Sequence, residues 1–129
     1  MRATDVLLVD DDPDFRHVIA ELLRDEGCRV VEAGDGAAAL RALDKLVPDL
    51  IITDLMMPGM DGWQLFEALQ KNSEWAKIPV AVISAFVQAD VDYEVRVLTK
   101  PIDLRNLLKL LDEVDHPRPR NPSIPDESL

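Results

Sequence analysis

Five side chains that can bind a metal ion or a phosphate follow short apolar segments of this chain. Asp10 and Asp11 come directly after the first such segment, and Asp54 follows the third. Ser84 ends the fourth segment, and Lys100 follows the fifth. If the segments are parallel strands of one open sheet, their carboxyl ends meet at the edge where such sheets bind ligands. The sequence therefore predicts three carboxylates, a hydroxyl and an ammonium at one edge.

The chemistry of this set points to a metal ion and a phosphoryl group. Crowded carboxylates repel one another unless a cation neutralises them or one is protonated. Mg²⁺ takes oxygen ligands and is typically held by one or two carboxylates together with phosphate oxygens. Asp54 stands alone at its strand end, with no nitrogen base nearby, and is the carboxylate best placed to attack phosphorus and form an acyl phosphate. Lys100 would hold a transferring oxygen, and Ser84 would donate a hydrogen bond to another.

The elements that must position these side chains follow an alternating pattern. Short apolar segments rich in β-branched residues alternate with helical-period stretches, which is typical of βαβ units around a parallel sheet. Strands are predicted at residues 6–9, 30–31, 50–53, 80–84 and 95–99. The first helix has an apolar face with helical spacing and ends before Gly27; its members are Phe15, Val18, Ile19, Leu22 and Leu23. Further helices are predicted at 37–46, at 63–71 and after Asp103, a helix N-cap residue.

The interval between the fourth and fifth strands is shorter than this pattern requires. Only residues 85–94 separate the two strands. A parallel crossover that contains a helix normally takes at least about ten to twelve residues. We therefore expect a fourth helix that is very short or irregular.

Composition limits the classes of function. The chain has 129 residues, 47% of them hydrophobic, which is enough for one buried core. Its 14 Lys and Arg residues against 25 Asp and Glu residues give a net charge of −11. Because so acidic a chain is repelled by phosphate backbones, direct nucleic-acid binding is not expected. The amino terminus lacks a long apolar stretch, so no membrane segment is expected and a cytoplasmic protein is predicted.

The end of the chain differs in composition from the rest. Four of the nine prolines fall within the last fifteen residues, where apolar residues nearly vanish. We expect one domain over residues 1–114, followed by a disordered Pro-rich tail or linker over residues 115–129.

Four short motifs occur in the order of the predicted strand ends. They are Asp10-Asp11, the run DLMMPGMDG at 54–62, Ser84-Ala85 and Lys100-Pro101. In these motifs the sequence resembles the receiver domains of two-component response regulators. The resemblance covers residues 5 to about 113, nearly all of the chain before the tail.

This resemblance implies a doubly wound, flavodoxin-like α/β fold with five parallel strands in the order 2-1-3-4-5. It implies that Asp54 accepts a phosphoryl group from a phosphohistidine of a sensor histidine kinase or phosphotransfer protein. The implied Mg²⁺ ligands are Asp10, Asp11, Asp54 and the backbone carbonyl of Met56. Ser84 would be the hydroxyl that moves toward the phosphate, and Lys100 its basic partner.

Two departures from the family pattern affect the mode of signalling. Receivers commonly carry an aromatic residue three positions before the lysine, where this sequence has Val97. The segment between Ser84 and Lys100 is also about six residues shorter than in receivers with a full fourth helix. The surface through which many receivers signal is therefore expected to be reshaped.

The function predicted from the sequence is that of a phosphorylation-dependent signalling receiver. It would phosphorylate and dephosphorylate itself with Mg²⁺ and would not turn over an external substrate. It would act on a protein partner that the sequence does not identify, and the sequence leaves open whether the chain forms a homodimer. One alternative is a receiver-like interaction module that does not use phosphate. The other is a Mg²⁺-dependent phosphatase, in which an acidic residue two positions after the nucleophilic aspartate usually serves as general acid. That position here is Met56, which argues against a phosphatase.

Overall fold

Five parallel strands form a single sheet at the centre of the molecule. The computed structural model describes residues 4–57, 59–84, 96–100 and 102–115. The strands are β1 (Asp5–Val9), β2 (Arg29–Ala33), β3 (Leu50–Asp54), β4 (Val80–Ser84) and β5 (Arg96–Thr99). Their order is β2-β1-β3-β4-β5, which confirms the predicted fold class and places β3 in the middle of the sheet.

Four α-helices are present among the described residues. They are α1 (Pro13–Asp25), α2 (Gly36–Leu43), α3 (Gly62–Gln70) and α4 (Leu104–Asp115), and a 3₁₀ turn spans Trp75–Lys77. Helix α4 includes the first residue of the predicted tail. The rest of that tail, the predicted irregular helix at 85–94 and Pro101 lie outside the described residues. Within the described part of the chain, no helix has the length and apolar character needed to cross a membrane.

Apolar side chains cover both faces of the sheet. All five residues of β1, of β3 and of β4 are buried, as expected for strands packed on two sides. One core cluster joins alternate strand residues such as Leu8 and Ile52 to side chains of α1 and α4. The second joins Leu7 and Ile51 to side chains of α2 and α3. Because the sheet is rigidly held on both sides, the carboxyl ends of its strands are well fixed.

Helix α1 is bounded by residues that act as caps. The Asp12 side chain accepts hydrogen bonds from the amides of Asp14 and Phe15, and Pro13 follows at the first helical position. At the other end Gly27 has a φ of 93° and its amide donates to Arg24, while the amide of Cys28 donates to Leu23. This pair of bonds is a Schellman motif, so the predicted end of the helix at Gly27 is confirmed.

Two details of the predicted helices are wrong. Val18 was assigned to the buried face of α1 but is 56% exposed, whereas Ala20 is fully buried. Because Val18 and Ala20 are two residues apart, they lie on nearly opposite sides of the helix, and the side that carries Ala20 is the one packed on the sheet. Helix α2 ends at Leu43 and not at residue 46, because the amides of Asp44 and Lys45 turn back to carbonyls three residues earlier.

Candidate functional site

The carboxyl ends of the strands bring the predicted side chains to one edge of the sheet. Asp54 is the last residue of β3 and Ser84 the last of β4, and both are buried. Asp10 follows β1 and is fully buried, Asp11 beside it is exposed, and Lys100 follows β5 with its side chain partly covered. The edge predicted from the strand ends is therefore the edge where these residues lie.

Three carboxylates converge at this edge. One oxygen each from Asp10, Asp11 and Asp54 lie within 4.8 Å of one another. Burial raises the pKa of Asp10 above its ordinary value, and the negative charges of Asp54 and Asp11 raise it further. The hydrogen bond from the Asp12 amide and the charge of Lys100 oppose that rise in pKa but do not cancel it. The folded chain thus holds a carboxylate whose ionisation is unfavourable without a cation.

The oxygen atoms of Asp10 show where a cation fits. Its Oδ1 atom accepts a hydrogen bond from the amide of Asp12, at 2.9 Å. Its Oδ2 atom is the buried side-chain oxygen that has no hydrogen-bond partner within the described ranges. Buried polar atoms are normally paired, so this one indicates a missing ligand. Three carboxylates with a free buried oxygen fit a hard divalent cation such as Mg²⁺.

Lys100 supplies the positive charge nearest to Asp54. Its Nζ atom lies 3.5 Å from Oδ2 of Asp54 and 4.6 Å from the centre of the Phe15 ring. The backbone amide of Lys100 donates to the carbonyl of Ser84, at 2.9 Å. This bond continues the pairing of β4 with β5 past the end of β5, and it holds the lysine next to the serine of the neighbouring strand.

The loop after β3 contacts the Asp54 side chain through a backbone amide. The amide of Met56 donates to Oδ1 of Asp54 at 3.3 Å, and the Met56 side chain is 69% exposed. Helix α3 then begins directly against the strand end: the amide of Gly62 donates to Leu55 at 2.8 Å. A Cβ atom at position 62 would lie only 2.7 Å from the carbonyl oxygen of Asp54. Glycine is therefore required for this close approach.

Three residues at the site were not identified as functional from the sequence. Phe15 was assigned to the apolar face of α1, Gly62 was noted only as the last residue of the run at 54–62, and Arg16 received no assignment. Arg16 donates a 2.7 Å hydrogen bond to the carbonyl of Asp10. Its position four residues before the buried Ala20 places it on the face of α1 that meets the sheet, and because that burial is seen only in the structure, no signal in the sequence could have identified Arg16.

The fold and this edge together define a class of protein, and comparison with known families gives the same class. The sequence model of the response regulator receiver domain family matches residues 6–112 of this chain. The chain belongs to this family. It is therefore a receiver domain of two-component signal transduction, and such domains are signalling modules and not turnover enzymes.

Relatives of similar length and longer relatives both match. The chain is 31% identical over 115 residues to Protein PilH of Pseudomonas aeruginosa, covering 84% of this chain and 95% of PilH. It is 39% identical over 114 residues to the transcriptional regulatory protein GlrR of Escherichia coli. That match covers 84% of this chain but only 25% of GlrR. The chain thus spans about a quarter of the length of this regulator.

Solved structures share the fold over most of the chain. The chemotaxis protein CheY4 of Vibrio cholerae superposes with a TM-score of 0.82 at 29% identity, covering 88% of this chain and 99% of CheY4. The receiver domain of the sensor histidine kinase PA1611 of Pseudomonas aeruginosa has a TM-score of 0.79 at 26% identity, covering 87% and 97% of the two chains. That structure has a magnesium ion coordinated in its active-site cleft.

Proposed function

We propose that this receiver accepts a phosphoryl group on Asp54 from a phosphohistidine of a sensor histidine kinase or phosphotransfer protein. One arrangement carries the proposal: an oxygen of the buried Asp54 carboxylate lies within 4.8 Å of oxygens of Asp10 and Asp11, and Oδ2 of Asp54 lies 3.5 Å from the ammonium of Lys100. Three acids together with an amine match a phosphoryl group that is bound partly through a metal ion. Membership of the receiver family supports the same role.

In the proposed reaction an Asp54 carboxylate oxygen attacks the phosphorus atom of the donor. The new O–P bond forms as the P–N bond to the donor imidazole breaks, and the imidazole takes up a proton from water as it leaves. Lys100 balances charge on the phosphoryl oxygens, and the Met56 amide already donates to the attacking carboxylate. The chain supplies positioning and charge, without a general base.

Asp10, Asp11, Asp54 and the carbonyl of Met56 are the proposed ligands of Mg²⁺. When bound, the ion would neutralise the carboxylates and the phosphoryl oxygens. Asp10 contributes the buried, unpartnered Oδ2 atom, which is the strongest support for a cation at this position. Without the ion, the residues that face the incoming phosphoryl group would be mainly negative and would repel it.

We propose that signalling follows from the new charge on Asp54. The phosphoryl dianion would attract the hydroxyl of Ser84 and shift the protein between two surface arrangements. Met56 follows β3, its side chain is exposed and its backbone amide contacts Asp54, so it lies at the edge that the phosphoryl donor must approach.

Mass spectrometry of the intact chain tests the proposal. The protein is incubated with Mg²⁺ and acetyl phosphate, and the expected result is a gain of one phosphate that is absent in Asp54→Asn. The gain should disappear with EDTA and on treatment with neutral hydroxylamine, which cleaves acyl phosphates. A gain that persists in Asp54→Asn would place the phosphate elsewhere and overturn the proposal.

The competing interpretation is an interaction module that does not use phosphate. It predicts no mass gain with acetyl phosphate or with any phosphorylated histidine kinase, and no change in amide spectrum on adding beryllofluoride. The proposed function predicts that both the mass gain and the spectral change occur, and that both require Asp54.

A further inference from the structure

We propose that Arg16 is a positioning residue for the metal site, which holds Asp10 in place through its backbone, and that Glu32 orients Arg16 for this task. The inference rests on the proposed Mg²⁺ site and identifies residues of α1 and β2 on which that site depends. Neither residue touches the phosphoryl group or the ion in the proposed arrangement. Their contribution is the placement of a ligand.

Asp10 is anchored at three of its polar atoms. Its amide donates to the carbonyl of Ala33 at 3.1 Å, and its Oδ1 atom accepts from the Asp12 amide at 2.9 Å. Its carbonyl accepts from Nη1 of Arg16 at 2.7 Å. These three contacts leave Oδ2 as the atom that can turn toward a cation. The Arg16 contact comes from a side chain on α1, and it is charge-assisted and short.

Glu32 holds the guanidinium of Arg16 in this position. The Nε atom of Arg16 donates to Oε1 of Glu32 at 3.0 Å, so that one planar group bridges Glu32 and the Asp10 carbonyl. Glu32 lies on β2, where its backbone is paired with Leu8 of β1, two residues before Asp10. The bridge therefore ties the loop after β1 to both the first turn of α1 and the edge strand.

Two further basic side chains lie close to Glu32. His17 Nδ1 and Arg24 Nη1 each lie 3.6 Å from its Oε2 atom, whereas Arg16 contacts its Oε1 atom. In the part of the chain that the structure describes, Arg24 makes no contact with Asp10. Its guanidinium donates a hydrogen bond to the carbonyl of Val30 instead. Arg24 is thus a natural control, because it shares the helix and the carboxylate partner of Arg16 but not the contact with the metal ligand.

Electrostatics and positioning predict opposite effects of removing Arg16. Replacing Arg16 with Met removes a positive charge near the carboxylates and leaves Glu32 negative, so charge alone would make Mg²⁺ bind more tightly. If Arg16 positions Asp10, the variant instead binds Mg²⁺ more weakly. Loss of a residue that orients a metal ligand typically reduces affinity by about tenfold to a hundredfold. The sign of the change therefore separates the two effects.

Isothermal titration calorimetry of the full chain with Mg²⁺ alone tests the proposal. We expect Arg16→Met to weaken binding by about tenfold, with Arg16→Lys in between, because one ammonium cannot reproduce the bridging geometry. The double variant Arg16→Met/Glu32→Gln, which keeps the net charge of the native pair, should bind as weakly as Arg16→Met. Arg24→Gln should bind like the wild type. Circular dichroism checks that each variant is folded; if Arg16→Met is not, the test passes to Arg16→Lys.

Phosphorylation at saturating Mg²⁺ gives a second readout. If Arg16 acts by placing a metal ligand, the rate with acetyl phosphate should recover in Arg16→Met as the Mg²⁺ concentration rises. Unchanged or tighter Mg²⁺ binding in folded Arg16→Met or Arg16→Lys would overturn the positioning role, while the proposed function would stand. Failure of the wild type itself to bind Mg²⁺ or to gain phosphate would instead overturn the proposed function.

Discussion

The ammonium of Lys100 lies over the ring of Phe15, 4.6 Å from the ring centre. This contact joins the first turn of α1 to the residue that follows β5. The same ammonium is 3.5 Å from Oδ2 of Asp54, so the ring and the carboxylate hold it between them. The negatively charged face of an aromatic ring attracts a cation. Phe15 therefore helps to keep the lysine close to Asp54, the proposed phosphoacceptor, and away from solvent.

Replacing Phe15 tests this contribution. Phe15→Leu keeps an apolar side chain but removes the ring face, and a cation–π contact worth about 0.5–1 kcal/mol corresponds to a loss of roughly twofold to fivefold in rate. We expect the initial rate of acyl phosphate formation with acetyl phosphate to fall by this factor. Phe15→Tyr, which keeps the ring, serves as the matched control and should react like the wild type. Equal rates for Phe15→Leu and the wild type would show that the ring does not hold Lys100.

Gly62 provides a test of how closely α3 must approach Asp54. An added Cβ atom would lie 2.7 Å from the Asp54 carbonyl oxygen and 2.9 Å from the Leu55 Cα atom. Both are backbone atoms, so no side-chain rotation relieves the clash. We expect Gly62→Ala to lower the free energy of unfolding by about 1–3 kcal/mol, the usual cost of overpacking. It should also slow phosphorylation by about tenfold or more, because the Asp54 backbone is displaced.

Gly34→Ala is the control for this prediction. A Cβ atom at position 34 would lie 3.4 Å from Nη1 of Arg16, which is an ordinary van der Waals distance and involves no backbone atom. Urea unfolding should therefore show a much smaller change for Gly34→Ala than for Gly62→Ala. Similar destabilisation of both variants would mean that loss of a glycine, and not the contact with Asp54, causes the effect.

The sequence allowed the sheet to be predicted more reliably than the faces of its helices. β4 was predicted at its observed bounds, because a strand covered on both sides is apolar throughout and its boundaries can be seen. The buried face of α1 could not be defined in the same way, since the apolar residues Val18 and Ala20 lie on nearly opposite sides of the helix. The spacing of apolar residues alone does not say which of these two sides packs on the sheet.

Only those site residues that follow strand ends could be predicted from the sequence. Asp54, Ser84 and Lys100 follow strands, and the parallel arrangement brings them together. Phe15 and Arg16 reach the same place from α1, and their positions depend on helix rotation and on side-chain reach. Pattern alone identifies them as helical residues. Their contacts with Lys100 and the Asp10 carbonyl become visible only in three dimensions.

Glu32 gives the protein a defined pH dependence. Burial acts to raise the pKa of Glu32, but the hydrogen bond from Arg16 and the charges of Arg16 and His17 outweigh it, so the pKa lies below its ordinary value of 4.5. A carboxylate with a lowered folded-state pKa stabilises the folded state above the unfolded-state pKa, and that stabilisation is lost as the pH falls through the folded-state pKa. Arg24 also faces this carboxylate.

We therefore expect Glu32→Gln to be less stable than the wild type above pH 4.5, by about 0.5 kcal/mol for a partly exposed pair. The difference should close as the pH falls further below that value. Urea unfolding in a series of buffers from about pH 5.5 downward measures how the difference closes. Glu21→Gln, which removes an exposed partner of His17, is the control and should show no comparable closing. If the difference in unfolding free energy between Glu32→Gln and the wild type widened toward low pH, the lowered pKa of Glu32 would be contradicted.

The buried Asp10 carboxylate predicts a conflict between stability and metal binding. Burial and the neighbouring carboxylates raise its pKa above the ordinary 3.8. For a carboxylate with a raised folded-state pKa, the folded state is favoured below the unfolded-state pKa, and this advantage is lost as the pH rises through the folded-state pKa. At neutral pH without metal, ionised Asp10 therefore destabilises the fold. Asp10→Asn should raise the midpoint of thermal unfolding by a few degrees at neutral pH in EDTA.

The effect of Mg²⁺ should then reverse this ranking. A ligand that binds only the folded state stabilises it in proportion to the logarithm of its concentration relative to Kd. Calorimetric scans with increasing Mg²⁺ should raise the unfolding midpoint of the wild type and leave that of Asp10→Asn nearly constant, until the wild type becomes the more stable. Asp11→Asn, at an exposed carboxylate, should give a smaller rise in EDTA because little burial is relieved. If Asp10→Asn were less stable than the wild type in EDTA, the Asp10 carboxylate would stabilise the metal-free fold. Its burial would then not be explained by cation binding.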